Sequence, residues 1–239
     1  MRIVVLTRNP SGIASRFLAR GEVEVERVLV DESQPAGLGR KLRKLRRVGP
    51  SAAPVGLALR RAYAAAGAGP PLDELGVPFT RVSTLNGDEA RAALEGVDVA
   101  LSLDNALISE ATFTVPKQGT INVHHGAVPD YRGGPPVFWE LADGRDRVGF
   151  TVHRIDAGID TGPVLVEGEI PISFRPTLAA TLAATIPALH EASLEALETV
   201  LKSDLEGRPQ PRGGRHRTTP ALRDYLRVRR RLRDYDHAP

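Results

Sequence analysis

The sequence predicts an α/β fold: a mostly parallel sheet with helices on both faces. Three observations predict it. The chain opens on a strand-like run, Met1–Thr7, crosses through a short helical stretch ending near Ala19, and re-enters a strand pattern at Val23–Val30. A crossover joining two such strands favours parallel pairing. Runs rich in Val, Ile and Phe then keep alternating with amphipathic ones. Finally, 239 residues with 41% hydrophobic and 26% charged residues suffice for a buried core.

The elements follow in order. Thr7-Arg8-Asn9-Pro10-Ser11-Gly12 is a turn cluster, with Ser11 the expected N-cap of the first helix. Leu38, Leu42 and Leu45 mark an amphipathic helix over Gly37–Arg47 with a basic outer face, and Pro54–Ala68 is an Ala-rich helix. Val77–Val82 is a weak strand, Asp88–Leu94 a short helix, Val97–Leu103 a strand and Ile108–Phe113 one or two helical turns. Thr120–His124 is a strand ending in polar residues. Pro135–Leu141 opens a helix, because proline is tolerated in a first turn. Val148–Ile155 and Pro163–Ile172 are strands. Thr177–Lys202 repeats Leu at helical spacing, and Pro187 should kink or split it.

Residues 1–207 read as one main domain. Residues 208–239 read as a basic linker followed by a tail or docking helix, Pro220–Arg233, with Leu222, Leu226 and Leu232 on a helical pattern, the first two of which share a face. A stripe so narrow rarely folds alone, so this helix is expected to dock, on its own domain or on a second subunit of a homodimer.

Lys and Arg total 32 against 29 Asp and Glu, a net charge of +3. Residues 208–239 carry a surplus of +7, which leaves −4 for the rest. With few aromatic residues between the arginines, solvated helix faces explain the basic clusters better than base stacking does, so no nucleic-acid partner is expected. There is no Cys, which excludes disulfides, thiolate metal sites and a Cys nucleophile. No apolar run approaches the ~20 residues of a membrane span. The N-terminus lacks a signal-peptide pattern, so no membrane partner and a cytoplasmic location are expected.

Chemistry concentrates in Ile121–Gly162. Alternation along the Thr120–His124 strand puts Asn122 and His124 on one side. Open α/β sheets bind ligands beyond the carboxyl ends of their strands. An amide and an imidazole would therefore face one crevice. Pro129–Pro135 is a rigid loop, and Gly158-Ile159-Asp160-Thr161-Gly162 sets a carboxylate between glycines. Asn, His and Asp are the set that acyl transfer to an amine needs. The first two donate hydrogen bonds to a tetrahedral oxyanion, and the carboxylate orients the imidazole and manages the proton. Asp156 competes with Asp160 for that role. His124, His125, His153 and Asp160 would also suit zinc or iron, but adjacent strand residues diverge, so no metal is expected. Trp139 reads as core, Tyr131 and Arg132 as loop-holding residues, Asp130, Asp143 and Asp146 as solvated turn carboxylates, and His190, His216 and His237 as surface.

Ile121–Gly133 and Val148–Leu165 resemble the catalytic domain of the 10-formyltetrahydrofolate-dependent formyltransferases, which has a Rossmann-like fold. The shared pattern is Asn-x-His, a Pro-x-Tyr-x-Gly loop and an Asp-x-Gly loop, with Asp160 lying 36 residues after His124. The resemblance puts Asn122, His124 and Asp160 on the catalytic positions. It also implies folate contacts at Leu103, Asn105, Ala106, Leu107 and Asp156. Departures are His125-Gly126 after the catalytic His, Leu103–Ile108 in place of the usual pterin-lining segment, and Arg8–Gly12 where glycinamide ribonucleotide transformylase has its phosphate loop.

The expected activity is formyl transfer from 10-formyltetrahydrofolate to a small-molecule amine, with an amino-sugar nucleotide or another biosynthetic precursor amine as the leading acceptor class. Methionyl-tRNA formyltransferases carry a further C-terminal domain for which the segment after Gly207 is short. The alternatives are a formyltetrahydrofolate deformylase-like hydrolase, which normally carries an N-terminal regulatory domain, and glycinamide ribonucleotide transformylase.

Overall fold

A computed structural model describes residues 1–33, 52–105 and 107–236. The basic helix expected at Gly37–Arg47 lies outside the described residues. In chain order the elements are β1 (Ile3–Thr7), α1 (Ile13–Arg20), β2 (Arg27–Asp31), α2 (Ala52–Gly67), a 3-10 turn (Leu72–Leu75), β3 (Phe79–Val82), α3 (Asp88–Leu94), β4 (Val99–Ser102), α4 (Glu110–Phe113), β5 (Thr120–His124), β6 (Arg132–Gly133), α5 (Phe138–Asp143), β7 (Arg147–Arg154), β8 (Val164–Pro171), α6 (Leu178–Val200), β9 (His216–Arg217) and α7 (Leu222–Asp236).

The main sheet has the order β3-β2-β1-β4-β5-β7-β8. Its first five strands are parallel, and β7 and β8 are antiparallel additions at one end. Side-chain alternation lets both faces be buried. Val5, Val28, Leu101 and Ile121 face α1 and the second half of α6. Val4, Leu6, Leu29 and Ala100 face the opposite layer, where α3 contributes Ala90 and Leu94. A third cluster joins α5, β7, the first half of α6 and α7 through Phe138, Leu141, Phe150, Leu182, Val228 and Leu232. The expected mostly parallel sheet with helices on both faces is therefore what the chain forms.

Several local expectations change. Gly12, not Ser11, caps α1, and no side chain accepts a hydrogen bond there; Ser11 N instead donates to Asn9 Oδ1. The second strand begins at Arg27, not Val23. The helix after Pro135 begins only at Phe138, beyond both prolines. Pro187 does not split α6, which is one helix capped by the Thr177 side chain. Ile186 and Leu189 on either side of it are fully packed, and that tertiary contact outweighs one missing backbone hydrogen bond.

The C-terminal helix docks, by one of the three expected leucines, Leu232, and not by the other two. Leu222 and Leu226 are 38% and 51% exposed, whereas Val228 and Leu232 are buried and Tyr225 packs beside them. Val228→Ala should cost about 2 kcal/mol, from lost apolar burial plus a small cavity. Leu226→Ala should change stability by less than about 0.5 kcal/mol. Urea unfolding of the two variants checks the assignment of the docked face.

Candidate active site

The site forms where β5 meets β7. Val123 and Val152 sit opposite each other and point into the core beneath α1 and α6. Their neighbours must then point to the other face, which puts Asn122 opposite His153 and His124 opposite Thr151. The loop after β7 brings in Asp160. Its Oδ2 is 3.4 Å from His124 Nδ1, and its Oδ1 is 3.5 Å from His153 Nε2. Gly133 N–H donates to the same Oδ2 at 2.8 Å. Asn122, His124 and Asp160, the three residues expected to act together, thus converge on one spot.

His153 joins them. It was weighed from the sequence only as a metal ligand. Its Nδ1–H donates to the Arg154 carbonyl at 2.8 Å, which leaves Nε2 free to accept from Asn122 Nδ2 at 3.1 Å. Among the described residues, no group of three or more His, Asp or Glu is arranged to hold a metal ion.

His124 Nε2 lies 2.7 Å from the Tyr131 carbonyl oxygen, which can only accept. With an acceptor at each ring nitrogen, the imidazolium form makes both contacts attractive. Burial nevertheless pushes the His124 pKa below its ordinary value; the Asp160 charge and the Tyr131 carbonyl oppose that push, and His153 adds to it. For Asp160, burial alone would raise the pKa. Its contact with His153, the charge of His124 and the Gly133 N–H outweigh burial and hold it at about 2. Asp160 adopts φ 51°, a left-handed conformation that Asp tolerates better than most residues.

Gly126 explains one of the departures from the expected pattern. A Cβ there would overlap the Tyr131 carbonyl oxygen and lie 2.6 Å from His124 Nε2. Gly126→Ala should therefore displace the imidazole and lower turnover up to about 10²-fold, while the melting temperature changes little. Steady-state rates beside a thermal melt check this.

The residues expected to hold folate are placed less uniformly. Leu103 is fully buried in the core, so only its backbone is available. Asn105 donates from Nδ2 to the Leu6 carbonyl at 2.6 Å and to Ser102 Oγ at 3.2 Å, while its buried Oδ1 has no partner. Ala106 lies outside the described residues. Leu107 is 70% exposed. Asp156 Oδ1 is committed to the turn that carries Asp160, accepting from Gly158 N–H and from the Thr161 hydroxyl.

The C-terminal segment also reaches the site. β9 pairs in parallel with β6, the strand on which Gly133 meets Asp160. Arg217 packs over the rings of Tyr131 and Trp139, at 5.2 and 5.1 Å from their centroids, and pairs with Asp143. A cleft of about 250 Å³ lies between Asp130, Tyr131, Asp143, Arg145, Arg215 and Arg217. Asp143 is thus an anchor rather than the solvated turn residue expected.

Comparison with known proteins gives a matching family segment and a shared fold. Residues 87–197 match the model of the formyl transferase family. A methionyl-tRNA formyltransferase from Deinococcus radiodurans is 34% identical over 188 residues, covering 76% of this chain and 52% of that protein. One from Chromohalobacter salexigens is 29% identical over 216 residues, covering 88% of this chain and 60% of that protein. The chain thus spans little more than half the length of these curated relatives. Among solved structures, the formyltransferase PseJ from Anoxybacillus kamchatkensis superposes with a TM-score of 0.52 at 20% identity, over 95% of this chain and 88% of that one. It was crystallised with UDP-4,6-dideoxy-4-formamido-L-AltNAc and tetrahydrofolate. A sugar N-formyltransferase from a Shewanella species superposes with a TM-score of 0.60 at 15% identity, over 97% of this chain and 87% of that one. The matched segment, residues 87–197, with the motif residues Asn122, His124 and Asp160 inside it, is that of the formyl transferase family.

Proposed function

We propose that the chain transfers a formyl group from 10-formyltetrahydrofolate, consumed as a substrate, to the amine of a small-molecule acceptor. The observation that carries this reading is the convergence of Asn122, His124, His153 and Asp160 beyond the carboxyl end of β5. Asn122 and His124 are the oxyanion donors. Each now donates to an internal acceptor, His153 Nε2 and the Tyr131 carbonyl, and the formyl oxygen replaces those acceptors when the amine attacks. Asp160 stabilises the His124 imidazolium through that step. The new bond is amine nitrogen to formyl carbon, the bond to the folate N10 breaks, and the proton shed by the amine ends on N10. The partnerless Asn105 Oδ1 suits the N–H-rich edge of a pterin.

Residues 1–207 would be the catalytic unit and residues 208–239 a segment docked on it, in the cytoplasm. An amino-sugar nucleotide is the acceptor class we favour, in keeping with the sugar N-formyltransferases that share the fold. Methionyl-tRNA is the second reading, favoured by the names of the sequence relatives from Deinococcus radiodurans and Chromohalobacter salexigens, and it would reverse the expectation of no nucleic-acid partner. The test follows tetrahydrofolate release from 10-formyltetrahydrofolate with a panel of aminodeoxy sugar nucleotides, glycinamide ribonucleotide, methionyl-tRNA and no acceptor. Release that requires one sugar nucleotide supports the favoured reading. Release that requires methionyl-tRNA supports the second. Equal release without any acceptor means hydrolysis and overturns both.

A further inference from the structure

We infer that Gln210, in the C-terminal segment, is a positioning residue that fixes the backbone of Asp160 and so aims its carboxylate at His124 and His153; the inference rests on reading Asp160 as the catalytic carboxylate.

The loop between β7 and β8 carries Asp160 at positive φ with no sheet partner of its own. A non-glycine residue stays in such a conformation only where its surroundings hold it there. Within the loop, Asp156 braces Gly158 and Thr161 but does not touch Asp160. The hold on the Asp160 backbone comes from outside. Gln210 Nε2 donates to the Asp160 carbonyl at 3.0 Å and to the Gly162 carbonyl at 2.7 Å. Arg132 Nε donates to the same Asp160 carbonyl at 3.1 Å. Gln210 Oε1 in turn accepts from Arg132 Nη2 at 2.7 Å, and Arg132 Nη1 donates to the Gly213 carbonyl at 3.0 Å.

The Gln210 amide therefore uses both of its N–H groups and its oxygen at once: one N–H holds the Asp160 carbonyl, the other the Gly162 carbonyl two residues on, and the oxygen holds Arg132, which itself reaches the Asp160 carbonyl. A chain segment that merely packed there would not need an amide. Arg208, two residues earlier, fastens the segment separately, through a two-way backbone bridge to Val164 and an ion pair with Glu167 at 2.5 Å. Holding the segment and holding Asp160 are thus done by different residues and can be separated by mutation.

Without the Gln210 amide, the Gly162 carbonyl loses its side-chain donor, the Asp160 carbonyl keeps only Arg132, and Arg132 loses the acceptor that steadies it there. The Asp160 backbone is then free to relax toward negative φ, which swings the carboxylate away from both histidines. His124 reports this directly. Among the described residues, the charged and titratable groups facing it are Asp160 on the loop, His153 on β7 and the adjoining His125, with the Tyr131 carbonyl beside them; of these Asp160 is the one anion. Removing it must make the buried imidazolium harder to form, so His124 should titrate at lower pH.

The experiment is an NMR titration of the imidazole Cε1–H resonances in the full chain, with the His124→Gln variant identifying the His124 signal. Gln210→Ala should lower the His124 midpoint by roughly one unit, approaching Asp160→Asn, whereas Arg208→Ala should leave it at the wild-type value while lowering the melting temperature. Gln210→Met keeps the side chain's length and adds no charge but cannot donate, so it should reproduce the Gln210→Ala shift. A wild-type midpoint in either folded Gln210 variant overturns the inference. Failure of both variants to fold overturns it too, because the amide would then be holding the fold rather than Asp160. The readout needs neither acceptor nor turnover. A protein that shows the shift and transfers no formyl group would sink the proposed function and leave the clamp standing.

Discussion

His124→Ala or Asn122→Ala should each lower turnover by roughly 10²–10³ or more, the loss expected when one preorganised oxyanion donor is removed. Asp160→Asn should match them, because the amide keeps the shape but loses the charge that supports the imidazolium. The four groups form one network, in which Asn122 donates to His153 and Asp160 faces both histidines. The losses should therefore not add: a His124→Ala, Asp160→Asn double variant should fall little below the worse single one. His153→Ala is a sharper test of the network, since sequence reasoning gave this residue no part in the proposed chemistry. It should cost less than His124→Ala, because His153 holds Asn122 and Asp160 without being itself an oxyanion donor. The measurement is tetrahydrofolate release under saturating substrates, with circular dichroism melts to establish folding. A folded His124→Ala variant with near-normal turnover would end the assignment.

The part of this site legible in the sequence is the part encoded by short-range pattern. The Thr120–His124 strand has the predicted bounds, and alternation alone puts Asn122 and His124 on one side, as observed. The helix at Asp88–Leu94 is likewise where its pattern predicts. His153 was not legible, because its place depends on the antiparallel register that sets it opposite Asn122, and a sequence does not state a register between strands some 30 residues apart. It left one trace: Val152 and His153 alternate as Val123 and Asn122 do. Gln210 left none, since its partners are backbone carbonyls far away in the chain. Within the C-terminal helix Leu222 and Leu226 misled and Leu232 did not, because spacing shows which residues share a face but not which face finds a neighbour. His190 was misplaced for a related reason. On α6 it reads as a polar residue on a helix surface, yet it is 8% exposed and stacks on His125 at 4.9 Å.

That buried His190 and the buried Glu140 should give the protein two pH dependences of opposite sign. Burial is the main cause in both cases: it lowers the His190 pKa to about 4, and it raises the Glu140 pKa to about 7. Burial wins in both because His190 Nδ1 and both Glu140 carboxyl oxygens are buried without a hydrogen-bond partner among the described residues, and the Arg217 charge and nearby backbone N–H groups offset only part of it for Glu140. For His190 the unfolded chain, with an ordinary value of 6.5, binds the proton first on acidification. Stability is then lost as pH falls from about 6.5 toward 4. For Glu140 the folded chain binds the proton first, between about 7 and the ordinary 4.5, so acidification restores stability over nearly the same range. Each contribution is about 2–3 kcal/mol between pH 7.5 and 4.5, so in the native protein the two nearly cancel. Variants uncover them. Glu140→Gln should leave a protein that weakens steeply in acid, by more than His190 alone provides, because His125 is also held well below its ordinary value by burial and by the neighbouring His190. His190→Leu should leave one whose stability falls far less on acidification, or rises. Urea unfolding of the three proteins at both pH values reads the slopes directly. Parallel slopes in wild type and Glu140→Gln would mean that Glu140 is ionised in the native state at neutral pH, with a partner that its buried oxygens do not show. The same measurement separates folding from catalysis, because any activity lost below pH 6 in a variant that remains folded belongs to the Asn122–His124–Asp160 site and not to this buried pair.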